Sequence, residues 1–463
     1  MRLPFRPHLL ALLAFAAACR AAPPPPPNVL LVSIDSLRAD HVHSYGYGRQ
    51  TTPTLDALAA EGARFATVVS PTSWTLPAHL TLLTALPPER HGVVADGQRL
   101  TDDALFLSEV LWRDGYTTAG FVAAPYLDAA FGFAQGFDHY DDHSLAKRSF
   151  DASHHGVTGP RTAALFADWL RDWRAGGARR PFFAFVHLWD VHYDYAPPPP
   201  YDRLFDPDYQ GHVTADDYEQ SDAVHAGMDA RDLAHVVALY DGEIRFTDDT
   251  LARLLATLHD AGVLDDTIVV VTADHGEEFF EHGRKGHKQQ LYDESLLVPL
   301  VIRYPARVPA GTVVPEQVRL MDVAPTILSL AGLGVPPDFG APAARIADAA
   351  QDLSAWINAP AGQRPAPLPA FADLVGDAPV PLAAVRSGGS KLIRARDGSG
   401  APELYDLRAD PGEHANLADP ARAAVLEEEL SGWRQAWSGA PLSESVAING
   451  GLRERLRALG YVR

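Results

Sequence analysis

Cysteine is almost absent from the 463-residue chain, which contains only Cys19. A chain with no later cysteine has no internal disulfide and no thiol nucleophile. Long apolar runs are also missing, and the run from Leu9 to Ala18 is too short to span a bilayer. Basic clusters are lacking too, since 39 Lys and Arg face 59 Asp and Glu and the formal charge is -20. Such a surface repels a phosphate backbone, so no nucleic acid partner is expected.

The N-terminus has the layout of an export signal. Arg2 and Arg6 precede the apolar run, and three alanines lead to Cys19. These residues resemble the bacterial lipobox, although Ala16 stands where that motif usually has leucine. The resemblance implies a signal peptide over 1–19, a lipid on Cys19 and a membrane partner. It places the protein in the bacterial cell envelope, facing the periplasm or the outside. An ordinary signal peptide with an incidental cysteine is the alternative. Proline-rich residues 20–27 are predicted to form a stiff tether.

The rest of the chain alternates apolar, β-branched runs with helical patterns. Buried strands are predicted at Asn28–Ile34, Phe182–His187, Thr267–Thr272 and Leu297–Arg303. Helices are predicted at Thr54–Glu61, Asp103–Arg113, Ala163–Trp173 and Ile244–Ala261. This alternation favours an α/β fold with a doubly wound, mostly parallel sheet flanked by helices.

Three regions are predicted after the tether. Residues 28–335 form the catalytic domain, and residues 336–370, rich in Pro and Ala, form a linker or a surface excursion. Residues 371–463 form a small antiparallel subdomain, with short strands over 383–396 and 403–407 and a helix over 421–437.

Residues suited to binding metal follow the predicted strands. Asp35 ends the first strand, and Asp274 and His275 end a later one. Thr75 lies in a predicted turn before an apolar helix over 80–86. Two carboxylates and an imidazole suit a divalent ion, and an ion beside a hydroxyl makes an alkoxide available near neutral pH. Each residue also has a structural reading, with Asp35 and Thr75 as helix caps and Asp274 with His275 as a surface turn.

A series of motifs occurs in a characteristic order. It comprises Thr75-Leu76-Pro77-Ala78-His79, Leu82-Leu83-Thr84-Ala85, His91-Gly92, Asp274-His275-Gly276, Lys288, Tyr292-Asp293-Glu294-Ser295 and Asp322-Val323-Ala324-Pro325-Thr326. In this order and spacing the chain resembles the sulfatase family of the alkaline phosphatase superfamily.

The resemblance implies a catalytic site around one divalent metal ion (Ca, Zn, Mn or Mg) and an anionic ester as substrate. Its implied metal ligands are Asp35, Thr75, Asp274 and His275, and its implied catalytic residues are Thr75, His79, His192 and Lys288. By position, His192 acts near the leaving group and Lys288 contacts the anion.

Several positions depart from the family pattern. Sulfatases use a Cys or Ser that is oxidised to formylglycine, and Thr75 is neither. Ser36 replaces a second acidic ligand, His79 replaces the signature arginine, and Gly120 to Ala124 replace a segment with a lysine and a histidine. Two cations that usually hold the sulfate are therefore missing. A threonine nucleophile instead resembles the phosphodiesterase and phosphoethanolamine transferase branches of the superfamily.

The expected function is hydrolysis or transfer of anionic esters through Thr75, with phosphoesters and phosphodiesters favoured. A formylglycine hydrate expels sulfate by reforming its aldehyde, whereas a threonyl ester needs a second displacement at the central atom, which phosphorus tolerates better. Two alternatives stay open. One is a sulfuric ester hydrolase without formylglycine, and the other is a catalytically degenerate anion-binding protein.

Other histidines and one tryptophan also merit attention. His187, Asp190, His282 and His287 are candidates for a second metal site, but the spacing from Asp190 to His192 and the absence of a convincing late ligand argue against one. His139, His143, His154 and His155 lie in a polar stretch and are predicted to face solvent. Trp74 either lines the substrate pocket or packs in the core.

Overall fold

The computed structural model describes residues 25–142, 157–340 and 349–458, apart from 217, 220, 361, 377–379 and 447–449. The signal peptide, Cys19, His143, His154 and His155 lie outside the described residues. Within the described part of the chain, no helix has the length and apolar character needed to cross a membrane.

Eight strands form one large sheet. They are β1 (Asn28–Ile34), β2 (Ala63–Val69), β4 (Thr117–Phe121), β5 (His139–Asp141), β6 (Phe182–Leu188), β7 (Thr267–Ala273), β10 (Leu300–Arg303) and β11 (Thr312–Arg319). Their order is β11-β2-β10-β7-β1-β6-β4-β5, and β10 alone runs antiparallel to its neighbours. Every residue of β1, β6 and β7 is buried, because unbroken apolar strands are covered on both faces.

Helices cover this sheet in two groups. One group contains α1 (Pro53–Glu61), α5 (Gly159–Ala175) and α6 (Ala230–Asp260). The other contains α2 (Thr75–Thr84), α4 (Leu107–Arg113) and α8 (Val323–Leu330). Shorter helices are α3 (Pro88–His91), α7 (Asp293–Leu296) and α9 (Ser354–Asn358). The predicted mostly parallel α/β sheet flanked by helices is confirmed.

A small antiparallel sheet near the C-terminus is also confirmed. Its strands are β12 (Ala370–Leu374), β13 (Leu382–Ser387), β14 (Ser390–Ala395) and β15 (Glu403–Asp406), in that order. Gly388 and Gly389 make the β13–β14 turn with positive φ angles, which glycine adopts at little cost. Helix α10 (Pro420–Ala436) packs on this sheet, and α11 (Gly450–Ala458) follows it. Two short pairs complete the strands, β3 (Gln98–Leu100) with β16 (Ser443–Ser445) and β8 (Glu278–Phe279) with β9 (Lys285–Gly286).

Several element boundaries differ from the predicted ones, and three of the differences have a clear local cause. Helix α2 begins at Thr75 rather than at Leu80, because a proline in the first turn of a helix costs no hydrogen bond and Pro77 lies there. Helix α6 begins at Ala230, where the Asp229 carboxylate accepts from the backbone N–H of Arg231. Strand β10 begins only after Pro299, which lacks the N–H needed for ladder pairing.

The segment 336–370 differs from a free linker where it is described. Phe339, Leu353, Trp356 and Ile357 are buried in the main hydrophobic core. The last three have the i, i+3, i+4 spacing of one helix face, and helix α9 contains two of them. The high Pro and Ala content concealed this short apolar pattern.

The strand register brings the predicted ligands together. Ile34 of β1 pairs with Leu188 of β6 and with Ala273 of β7. Asp35 and Asp274 therefore leave the carboxyl ends of adjacent parallel strands side by side. Ligands bind at this edge in open α/β sheets.

Candidate active site

Asp35, Asp274 and His275 form a compact group, called here the ligand cluster. One ligand atom from each lies within 4.8 Å of the others, and all three residues are fully buried. Burial raises the pKa of Asp35 to about 6. Asp274 Oδ2 is buried without a hydrogen-bond partner among the described residues. Two carboxylates and one imidazole, with an unpaired oxygen, fit a divalent cation.

Main-chain groups hold the ligand cluster in place. Asp274 Oδ1 accepts from the backbone N–H of Ser36 at 3.1 Å and from that of His275 at 2.9 Å. The His275 Nδ1 atom is 2.8 Å from the Gly276 carbonyl oxygen and donates to it. This bond fixes the ring proton on Nδ1, so Nε2 presents its lone pair to the site.

Thr75 lies at the first position of helix α2 and is fully buried. Its Oγ1 is 3.1 Å from His275 Nε2, so the hydroxyl lies beside the ligand cluster. Trp74, rather than Thr75, is the N-cap residue. The positive end of the helix dipole favours negative charge at this place. A negatively charged oxygen at this position would therefore be stabilised by the start of helix α2.

Beneath the ligand cluster lie two buried histidines. His79 Nε2 is 2.9 Å from Ser33 Oγ. The other ring nitrogen of His79, Nδ1, is 2.9 Å from the Thr75 carbonyl oxygen and 3.5 Å from Asp274 Oδ2. His187 Nε2 is 3.1 Å from Asp35 Oδ2. Burial lowers the pKa of each imidazole to about 4, so both are neutral near pH 7. His79 thus does not supply the positive charge of the arginine that it replaces.

His192 and Lys288 approach the site from two other segments. His192 Nδ1 donates to the Tyr193 carbonyl oxygen at 2.8 Å, and its ring stacks on Trp189 with centroids 3.8 Å apart. Lys288 Nζ lies 4.4 Å from the ring centroid of Trp74. Trp74 is 2% exposed, so it both packs in the core and supports this lysine.

The four candidates for a second metal site do not come together. Asp190 accepts from the backbone N–H groups of Thr158 and Gly159 at the start of α5. His282 Nδ1 instead pairs with Glu294 at 2.6 Å. Among the residues that the structure describes, the ligand cluster is the one group with metal-site geometry.

Sequence reasoning gave no role to Ser33 or Glu277. Ser33 holds His79, and Glu277 Oε1 is 3.2 Å from His287 Nδ1. Ser33 could have been identified from the sequence, because it is a polar residue inside an otherwise apolar strand. For Glu277 the signal was its place directly after the metal-ligand motif.

The chain is similar to known sulfatases along most of its length. The sequence model of the sulfatase family matches residues 27–333. The chain is 26% identical over 426 residues to an ulvan-active sulfatase of Formosa agariphila, covering 87% of this chain and 79% of the relative. It is 24% identical over 482 residues to an N-acetylglucosamine-6-O-sulfatase of Bacteroides thetaiotaomicron, covering 87% and 84%.

A solved structure has a similar fold. The phosphonate monoester hydrolase of Agrobacterium radiobacter superimposes with a TM-score of 0.68 at 24% identity, covering 91% of this chain and 97% of that enzyme. Together with the family match over two thirds of the sequence, these relatives identify the chain as an ester hydrolase that belongs to the sulfatase family of the alkaline phosphatase superfamily.

Proposed function

We propose that this protein is a metal-dependent hydrolase of phosphorus esters that uses Thr75 as its nucleophile. The observation that carries the proposal is the Thr75 hydroxyl, 3.1 Å from His275 Nε2 and beside the ligand cluster. The fold also serves phosphorus esters in the phosphonate monoester hydrolase that it resembles. Thr75 cannot be converted to formylglycine, which sulfatases form from a Cys or Ser. The atom that attacks the substrate is therefore its own hydroxyl oxygen.

Asp35, Asp274 and His275 would hold the divalent cation, with Thr75 Oγ1 adjacent. When bound, the cation lowers the pKa of the Thr75 hydroxyl and offsets negative charge on the substrate. Thr75 then attacks as an alkoxide, after giving its proton to solvent. A bond forms between Oγ1 and phosphorus, and the bond to the leaving oxygen breaks with its electron pair on that oxygen.

His192 and Lys288 complete the reaction. Nδ1 of His192 is occupied by the Tyr193 carbonyl, so Nε2 is the nitrogen that protonates the leaving oxygen. Water then attacks phosphorus in the threonyl ester, and neutral His192 accepts the proton of that water while the bond to Oγ1 breaks. Lys288 holds the anion as a fixed positive charge.

The preference between phosphorus and sulfur esters tests this function. We expect the purified enzyme to show a higher kcat/KM for at least one of the 4-nitrophenyl phosphate, phosphodiester and phosphonate esters than for 4-nitrophenyl sulfate. The shared leaving group isolates the chemistry at the central atom. Faster cleavage of the sulfate than of every phosphorus ester would support the sulfatase alternative, which the sulfatase relatives favour. Anion binding without any turnover would support the degenerate binding protein.

We also propose that Cys19 carries a lipid and that this anchors the enzyme in the bacterial cell envelope. The support is the lone cysteine directly after an export signal. Mass spectrometry of protein extracted from membranes should find an acylated N-terminal Cys19, and Cys19→Ser should move the protein to the soluble fraction. An unmodified mature N-terminus after residue 19 would contradict the proposal.

A further inference from the structure

His287 is buried beside the active site with one ring nitrogen unused. The residue is 1% exposed, and its Nδ1 lies 3.2 Å from Glu277 Oε1. Its Nε2 has no hydrogen-bond partner among the described residues. Most buried polar atoms in proteins have a partner, so this one indicates a ligand or a water molecule.

The neighbours of His287 are the residues of the proposed reaction. Its ring centroid lies 4.5 Å from that of His275 and 5.0 Å from that of His192. The imidazole is therefore adjacent both to a residue of the ligand cluster and to the proposed acid for the leaving group. The next residue, Lys288, donates its backbone N–H to the Ser73 carbonyl oxygen at 3.0 Å, which ties this segment to the one that precedes Thr75.

His287 can supply a hydrogen-bond donor that the substrate anion otherwise lacks. A transferring anionic group has several oxygens, and donors aimed at them stabilise the transition state. Both nitrogens of His79 already contact protein oxygens. Residues 120–124 carry neither a lysine nor a histidine. Of the residues assigned above, only Lys288 would then hold the anion, together with the cation.

We propose that His287 donates a hydrogen bond from Nε2 to a non-bridging oxygen of the substrate anion, with Glu277 as its positioning residue. The inference rests on the proposed function. The carboxyl and imidazole share one proton between Oε1 and Nδ1, and a second proton lies on Nε2. The pair is then neutral overall, and the arriving anion favours the proton on Nε2. This donor replaces one of the hydrogen bonds that the missing cations supply to the anion in the family pattern.

Variants of His287 and Glu277 in the metal-loaded enzyme test this role. We expect His287→Ala to weaken the binding of vanadate, measured by calorimetry, by roughly tenfold or more. His287→Gln keeps an amide donor near the position of Nε2 and should recover part of the affinity. Glu277→Gln should give a smaller loss than His287→Ala. His259→Ala is the matched control, because this exposed histidine lies at the end of α6 that precedes β7.

The dependence on the leaving group separates the role of His287 from that of His192. Across aryl phosphodiesters of rising leaving-group pKa, His287→Ala should lower kcat/KM by a constant factor, as should Lys288→Ala. His192→Ala should lose more with poorer leaving groups. Metal content should stay at the wild-type level in His287→Ala.

Three results would overturn the inference. The first is vanadate affinity in His287→Ala within twofold of wild type, and the second is a loss of metal from that variant, which would make His287 a ligand. The third is equal losses in His287→Ala and His287→Gln accompanied by a large fall in melting temperature. If the wild type cleaves no phosphorus ester, the proposed function fails, and the vanadate measurement alone still decides the role of His287.

Discussion

Thr75→Ala is expected to lower turnover by at least roughly a thousandfold, since loss of a nucleophile removes the covalent route. Alanine is well tolerated in a helix, and Thr75 Oγ1 makes its contact with His275 rather than with a cap. The melting temperature should therefore stay near that of the wild type. Steady-state kinetics and thermal unfolding of the same preparation give both values.

Two further substitutions define the cause of that loss. Thr75→Ser keeps the hydroxyl and removes only the methyl group that restricts its rotamer, so it should retain part of the activity. Thr84→Ala is the control, because Thr84 is also buried in α2 and its hydroxyl donates to the Leu80 carbonyl oxygen. Turnover of Thr75→Ala within tenfold of the wild type would exclude Thr75 as the nucleophile.

Asp274→Asn is expected to reduce both bound metal and turnover by roughly a hundredfold or more. Asp274 Oδ2 has no hydrogen-bond partner among the described residues, so it is available to a cation, and the substitution removes the charge of the carboxylate. Metal content by plasma mass spectrometry, measured after dialysis, provides a readout that does not depend on activity. Excess divalent metal should restore part of the turnover.

The control for this variant is Asp260→Asn. Asp260 is exposed at the end of α6, so losing its charge should change neither metal content nor rate. Unchanged metal stoichiometry in Asp274→Asn would mean that the assignment of ligands is wrong.

The sequence predicted which edge of the sheet carries the ligand cluster, because strand ends are a local feature. An apolar run that stops at a carboxylate reveals both the strand and the ligand, as for Asp35 and Asp274. The sequence pattern could not reveal the contact between His79 and Ser33, because these residues are 46 positions apart. Contacts of this kind depend on the packing of α2 over the sheet.

Composition was a weaker guide in the C-terminal third. Residues 336–370 have the Pro and Ala content of a linker, yet Leu353 and Trp356 pack in the main core. Lys391 of the small sheet is fully buried, and its Nζ lies 2.9 Å from Asp293 Oδ1. This ion pair joins the C-terminal sheet to a motif of the main domain. The sequence could not indicate this ion pair, because its two residues are 98 positions apart.

Detection of a covalent group on Thr75 tests its role as the nucleophile directly. The wild type is mixed with an excess of an aryl phosphodiester, quenched in acid within the first turnover, and digested for peptide mass spectrometry. We expect the peptide containing Thr75 to carry the mass of the transferred phosphoryl ester, and the same peptide of Thr75→Ala to carry none. Aryl alcohol released in the first turnover with the adduct on another residue, or with no adduct on the enzyme, would contradict it.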